Sequence, residues 1–259
     1  MINKIYEKVI GALSGDKSVL AIFNNGSSIV GMHTPSSDLD FVIIIKDEND
    51  KDNILKILRR NFEVFKNEDD PKINVEEQFD ILGKRADFTI ISKEKMRQKV
   101  LDLYKSSEDF LELQHFIKHK VIDSIAVYDP GNLLMGWKKI AEKYPKKIMD
   151  DVFNSQIDYV KENLFYWKHH GFRNEFQFGF EQWDVIKAIF QAIYAKNRIM
   201  FMLPFKRVHN DMKKLKPNIE KEMYLLIRGE NDQKGVEKKI KIVEKIVQKI
   251  EKKAVEMIK

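Results

Sequence analysis

Asn25-Gly26-Ser27-Ser28-Ile29-Val30-Gly31-Met32-His33-Thr34-Pro35-Ser36-Ser37-Asp38-Leu39-Asp40-Phe41 is the stretch on which the fold of this chain turns. Just upstream, Ser18 to Phe23 is a short apolar run ending at Asn24-Asn25-Gly26, the pattern of a strand followed by a turn. Gly26 lets the backbone turn tightly. Ser27 and Ser28 then open a helical turn, whose free N–H groups and hydroxyls make a phosphate-binding corner. Downstream, Leu39 to Ile45 is almost continuously apolar and β-branched, which predicts a central strand buried on both faces. Asp38 and Asp40 stand at its entry, and alternation along a strand brings both carboxylates out on one face. Two like charges so close repel, so the pair calls for a cation. Oxygen ligands of this kind suit magnesium, which takes one or two carboxylates plus substrate phosphates.

Working outward, Ile2 to Leu13 has helical spacing, with Ile5, Val9 and Leu13 inward. Asp52 to Phe65 reads as a helix with Ile54, Leu55, Leu58 and Phe62 on its apolar side and Asp52 near its start, where an acid complements the dipole. Ile73 to Leu82, Gly83-Lys84 and Ala86 to Ile91 read as a hairpin. These elements predict an α/β (α+β) domain with a mixed sheet. The second hairpin arm supplies a third acid, Asp87; Asp80 and Glu76 on the other arm are the alternatives. Three acids can hold two metal ions about 3.5–4 Å apart, one activating a hydroxyl and one binding leaving phosphates. Neither a Gly-Lys-Ser/Thr phosphate loop nor a dinucleotide-type glycine fingerprint occurs.

From Ser92 onward the pattern is helical. Helices are expected at Lys93 to Tyr104, at Ser107 to His119 with Ser107 and Glu108 at its cap, and around 132–143, 146–169, 180–202, 217–227 and 234–258. Tyr128-Asp129-Pro130-Gly131-Asn132 is the strongest turn, and the domain boundary is placed beside it: residues 1–125 as the mixed-sheet domain that carries the acids, 126–259 as a helical domain. In the last helix Val236, Ile240, Val243, Val247, Ile250, Ala254 and Met257 follow a heptad-like spacing. This closes a bundle or, on the alternative reading, forms a homodimer seam.

Composition narrows the function. The 259 residues are 43% hydrophobic and 33% charged, with no cysteine, which excludes disulfides, thiolate metal sites and cysteine nucleophiles. No apolar run approaches the ~20 residues of a membrane span, and the N-terminus has no signal-type core, so the expectation is a cytoplasmic protein without membrane contact. Residues 1–130 hold 19 Lys and Arg against 23 Asp and Glu, a net of −4; residues 131–259 hold 27 against 17, a net of +10. The basic half is lysine-rich with interleaved acids, a pattern that argues against a nucleic-acid partner.

Gly-Ser, a second glycine four residues after the serine, then Ser-Asp-x-Asp before an apolar strand resembles the signature of the polymerase-beta-type nucleotidyltransferases, most strongly the branch that modifies small molecules such as aminoglycosides and lincosamides. Gly26 and Ser27 match the Gly-Ser pair, Gly31 the second glycine and Ser37 the serine before the acids. Asp38 and Asp40 match the metal-binding pair and Asp87 the third acid. The resemblance covers about the first 95 residues, and more weakly extends to Ala126-Val127-Tyr128-Asp129-Pro130 and Ala195-Lys196-Asn197-Arg198. It departs from the pattern at Val30, where many relatives carry Arg or Lys, and at Asn25, usually apolar.

What the resemblance implies is a metal-dependent transfer of a nucleoside monophosphate, AMP from ATP, to the hydroxyl of a small molecule, with release of pyrophosphate. Asp38, Asp40 and Asp87 would be catalytic and hold Mg2+. Gly26, Ser27, Ser28 and Ser37 would bind the nucleotide, with Lys187 reaching triphosphate oxygens from the helical half, where Lys196, Arg198 and Lys206 are further candidates. Alternatives are AMP transfer to a protein, as in toxin-antitoxin pairs, and a nucleotide-binding module without turnover. Residues 165–183 hold eight aromatics, read chiefly as core and secondarily as a stacking surface with Glu175, Glu181 or Asp184. His115 and His119 have a zinc-compatible spacing but lack an evident third ligand, and are read as boundary residues.

Overall fold

A computed structural model describes residues 2–26, 29, 37–64, 78–170, 174–201 and 208–256. It divides into two compact units, residues 1–105 with 116–143, and residues 106–115 with 144–259.

In the first unit, helix α1 (Ile2–Leu13) leads into strand β1 (Val19–Asn25), and β2 (Leu39–Ile45) follows. A 3-10 turn (Glu48–Asp50) and α2 (Lys51–Asn61) come next, then β3 (Glu63–Val64), β4 (Gln78–Asp80) and β5 (Arg85–Ser92). The sheet order is β3-β4-β5-β2-β1, with β6 (Ile125–Tyr128) on the far edge. Among the described residues only β2 and β5 run parallel; the other pairs are antiparallel. The sheet is therefore mixed, and β2 is central as its apolar run predicts.

Alternation sorts the side chains. Ile22, Leu39, Phe41, Ile43, Ala86, Phe88 and Ile90 join Ile5, Val9 and Leu13 of α1 and Ile54 and Leu58 of α2 in one buried core. Phe41 and Phe88 stack at 5.2 Å within it. Each fully buried large apolar side chain contributes roughly 1.5–3 kcal/mol. Phe23 faces the other way and meets Trp137 of α5 (Leu133–Ala141) edge-on at 6.1 Å.

Several boundaries differ from the sequence reading. The helix expected to reach Phe65 stops at Asn61, because the chain turns extended at Phe62 and Glu63–Val64 pairs with β4. The hairpin turn is Leu82–Gly83, both with positive φ, closed by Ile81 and Lys84 backbone bonds. Ile73 to Glu77 lies outside the described residues.

After α3 (Lys93–Asp102), α4 (Ser107–Ile117) is capped by Ser106, whose hydroxyl accepts from the Asp109 N–H at 3.0 Å, rather than by Ser107. It passes into a π-helical turn, Lys118–Ile122. β6 and α5 were expected in the second domain. Both pack in the first unit, β6 as partner of β1, and Asp129 accepts from the N–H groups of Leu133 and Leu134 to start α5.

The second unit is helical: α6 (Lys146–His170), α7 (Glu175–Lys196), α8 (Val208–Met212), α9 (Glu220–Arg228) and α10 (Gln233–Glu256). α7 begins five residues before the expected 180 because Asn174 caps it, accepting from Gln177 N–H at 2.8 Å. On α10, Val236, Val243, Val247 and Ile250 are buried in this unit's own core with Ile189 and Ile193 of α7, so the heptad-like seam is packed internally. Ala254 and Met257 lie outside the described side chains. Among the described residues, no helix is long and apolar enough to cross a membrane.

Candidate active site

Register brings the predicted acids together. Asn25 of β1 pairs with Asp40 of β2, Asp40 with Asp87 of β5, and Asp87 with Gln78 of β4. Paired residues on neighbouring strands share a face, so the four polar side chains form one row across the sheet. That face is opposite the Phe41 and Phe88 core, which is why these polar positions do not interrupt it. Asn25 is fully buried and Gln78 nearly so, while Asp40 and Asp87 are half-buried. The row thus has closed ends and an accessible acidic centre.

The start of β2 is held from the other side of the sheet. Asn24 donates from Nδ2 to the Asp40 carbonyl at 2.8 Å and accepts from the Tyr6 hydroxyl at 2.9 Å. Burial raises the Tyr6 phenol pKa, which keeps it protonated as the donor. Asn25, the departure from the usual apolar residue, donates from Nδ2 to the His119 carbonyl at 3.1 Å, tying the strand end to the π-helical turn.

Gly26 has φ 82°, and a Cβ built there would lie 1.9 Å from Asp40 Oδ2. The chain passes so close to the carboxylate that any side chain here would displace it, and the same glycine supplies the left-handed backbone of the turn. Ile29 N–H reaches back to the Gly26 carbonyl at 3.3 Å. Ser27 and Ser28 lie outside the described residues, as do Gly31 and Val30. Ser37 is described and half-buried, directly before the acids.

Asp38 is drawn to a partner that sequence reasoning missed. Two residues back from the Asp40–Asp87 pair, parallel register puts Asp38 opposite Arg85, and Arg85 Nε lies 3.6 Å from Asp38 Oδ2. Among the described residues no set of three His, Cys, Asp or Glu side chains is gathered as a metal-binding group. Of the alternative third acids, Asp80 lies level with Arg85 and accepts from the Gly83 N–H at 2.8 Å, serving the hairpin turn. Glu76 lies outside the described residues.

Sequence reasoning also missed Lys120. The π-helical turn carries it to the sheet, where its Nζ donates to Thr89 Oγ1 at 2.9 Å, two residues from Asp87 on the same face. Ser124 Oγ closes the turn on the Lys120 carbonyl at 2.9 Å. A π turn does not announce itself in hydrophobic spacing, although the cationic run Lys118-His119-Lys120 beside a strand was a signal.

The donor chemistry fits one hard cation. Asp40 and Asp87 offer only carboxylate oxygens from adjacent strands, the one or two acids that magnesium takes alongside substrate phosphates.

In the second unit, Lys187 is exposed on α7. Lys196 is used structurally: its Nζ donates to the Ile250 carbonyl and lies 5.4 Å from the Phe153 ring centroid. Lys206 and Phe172 lie outside the described residues. The aromatic run splits in two. Trp167 and Phe178 are core, 4.9 Å apart, and Glu181 is committed to Trp167 Nε1 at 3.0 Å. Phe176, Phe180 and Trp183 are exposed, and with Glu175 and Gly179 they line a cavity of about 460 Å³.

No family model matches the chain. No curated protein matches it either. Among solved structures it is similar to a nucleotidyltransferase-like protein from Exiguobacterium sibiricum 255-15, at 8% identity over 96% of this chain and 75% of that one, with a TM-score of 0.46. It is also similar to spectinomycin adenyltransferase AAD(9) from Enterococcus faecialis, solved with ATP and spectinomycin, at 14% identity over 95% of this chain and 99% of that one, with a TM-score of 0.39. Neither likeness carries the functional reading, which rests on the row of side chains around Asp40.

Proposed function

We propose that the protein is a metal-dependent nucleotidyltransferase that moves AMP from ATP to a hydroxyl of a small molecule. The observation that carries this reading is the pairing of Asp40 with Asp87 across parallel strands, beside a glycine pressed against the Asp40 carboxylate. In the reaction the acceptor oxygen bonds to the α-phosphorus, the bond to the bridging oxygen breaks, and pyrophosphate leaves with that electron pair. A bound Mg2+ supplies charge stabilisation for the triphosphate and lowers the pKa of the attacking hydroxyl.

On this reading Asp40 and Asp87 hold the cation, joined by Asp38, and Asp87 takes the acceptor proton. Gly26, Ser27, Ser28 and Ser37 form the phosphate corner. The sheet unit, residues 1–105 with 116–143, is the catalytic part, and the helical unit binds the acceptor. The aromatic cavity beside Glu175 has the size and chemistry for a ring-bearing or cationic acceptor.

The test is incubation with α-labelled ATP, Mg2+ and a panel of hydroxyl-bearing acceptors. Label transfer with pyrophosphate release is expected, and Asp40→Asn or Asp87→Asn should lower it at least about 100-fold, the scale of losing a catalytic electrostatic group. Mg2+-dependent ATP binding without pyrophosphate release for any acceptor would instead identify a silent binding module. ATP binding indifferent to Mg2+ and to both acids would overturn the reading.

A further inference from the structure

The geometry points to Arg85 as a shared counter-charge: it holds Asp38 while the site is empty of ligand, and exchanges that carboxylate for triphosphate oxygens when a nucleoside triphosphate binds. The inference rests on the nucleotidyltransferase reading of the same acids and adds a residue that reading does not contain. Three carboxylates at the entry of two adjacent parallel strands would repel one another. The register answers this locally, because Arg85 stands level with Asp38 just as Asp87 stands level with Asp40.

The pair is built to be given up. Its separation is 3.6 Å, longer than a tight charge-assisted bond, and the two side chains are 38% and 35% exposed. An ion pair of that kind, a third or more exposed on each side, is weak and screened by solvent, so little is lost when it opens. The guanidinium has a planar fork suited to phosphate, and a triphosphate brings more negative charge than one carboxylate. Lys120, another cation on this face, is bonded to Thr89 Oγ1, and Asp80, level with Arg85 on its other side, serves the hairpin turn. When the guanidinium moves to the phosphates, Asp38 is released toward the cation at Asp40 and Asp87. In the ligand-free state Arg85 and a metal ion therefore compete for Asp38.

Competition gives a signature that a purely structural arginine cannot. The affinity for Mg2+ alone and the affinity for ATP in the presence of a chelator are measured by calorimetry on the full chain, for the wild type, Arg85→Gln and Arg85→Lys. Arg85→Gln should bind Mg2+ about threefold more tightly, the scale of an exposed ion pair. It should bind metal-free ATP about tenfold more weakly, the scale of a charge-assisted phosphate contact. Arg85→Lys should fall between wild type and Gln in both, and it carries the test if the Gln variant fails to fold. In an Asp38→Asn background, Arg85→Gln should no longer change Mg2+ affinity.

Weakening of both affinities would show a structural role and overturn the proposal, as would no change in either. The two readings fail separately. Opposite shifts in a protein that transfers no label support the exchange and sink the enzymatic reading, whereas unchanged affinities in an active enzyme sink the exchange alone. A wild type that binds neither Mg2+ nor ATP sinks both.

Discussion

A methyl group at position 26 would meet Asp40 Oδ2 at 1.9 Å, on a backbone held at φ 82°, so two separate penalties coincide at one residue. Gly83 separates them. It shares a positive φ, 76°, but has nothing within 4 Å of the position a Cβ would take. Gly83→Ala should therefore cost only the left-handed conformation, about 1–2 kcal/mol. Gly26→Ala should cost that amount and also push the Asp40 carboxylate aside. The expected outcome is a lower Tm for both variants, with Mg2+-dependent ATP affinity lost in Gly26→Ala alone. Equal ATP affinity in the two variants would show that the close approach to Asp40 has no functional weight. Asn25 teaches the same lesson from the other direction. An amide where an apolar residue is usual looked like a defect in the motif, and it is instead a fully buried donor to the His119 carbonyl.

Between elements, one acid outside the candidate site ties two of them together. Glu48, in the 3-10 turn, accepts from the Ser92 N–H at 2.7 Å and from Lys95 Nζ at 2.8 Å, so it ties that turn to the first turn of α3. The Lys95 bond, with the Ser92 bonds, holds its carboxyl down at about 2 against an ordinary 4.5. A depressed acid contributes its stability in full above the unfolded value and loses it as pH falls toward the folded one. Wild type should thus lose stability relative to Glu48→Gln between pH 4.5 and about 2, by no more than about 1 kcal/mol because the pair is partly exposed. Thermal unfolding at several pH values checks it, and parallel profiles for the two proteins would refute it. The elements that were legible in the sequence are those whose burial is internal to the element. α1 buries Ile5, Val9 and Leu13 at helical spacing, and β2 is buried at every position except Asp40, on both faces of the sheet. β6 has one neighbour and an exposed-to-intermediate pattern, so it shows no buried alternation to read. The first turns of α7 carry Phe176 and Phe180 outward, where aromatics suggested core and hid the cap at Asn174. In the candidate site, the nearness of Asp38 to Asp40 was legible because the two stand two residues apart at the entry to one strand. Arg85 was not, because its partner is fixed by register between two strands that lie more than forty residues apart in sequence.

For the molecule as a whole, several of the lysines of residues 131–259 are answered by acids on the helix surfaces. Lys161 meets Glu251 at 2.6 Å, and Lys245 and Lys249 both meet Glu222, at 3.2 and 2.6 Å. Lys239 breaks the rule. It is 1% exposed, and its Nζ donates to Gln182 Oε1 at 2.8 Å and to Asn231 Oδ1, 5.8 Å from the Phe178 ring centroid. Among the described residues no carboxylate lies within ion-pair distance of it. Neutral oxygens and a ring face solvate the ammonium less well than water, and burial holds its pKa below the ordinary 10.5. The unfolded chain then binds this proton at pH values where the folded chain has released it, so stability rises as pH climbs from the folded value to 10.5 and is flat beyond. Lys239→Met removes the titration and leaves two amide oxygens short of a donor, a constant penalty that does not vary with pH. Offset and slope therefore separate in one experiment. Urea unfolding followed by circular dichroism, at neutral pH and near pH 10.5, should show wild type gaining stability relative to Lys239→Met as pH rises, since every other titration is common to both. A constant difference between the two proteins would mean that the ammonium is solvated as well inside α7 and α10 as in water, and that the contacts to Gln182 and Asn231 fully replace a missing carboxylate.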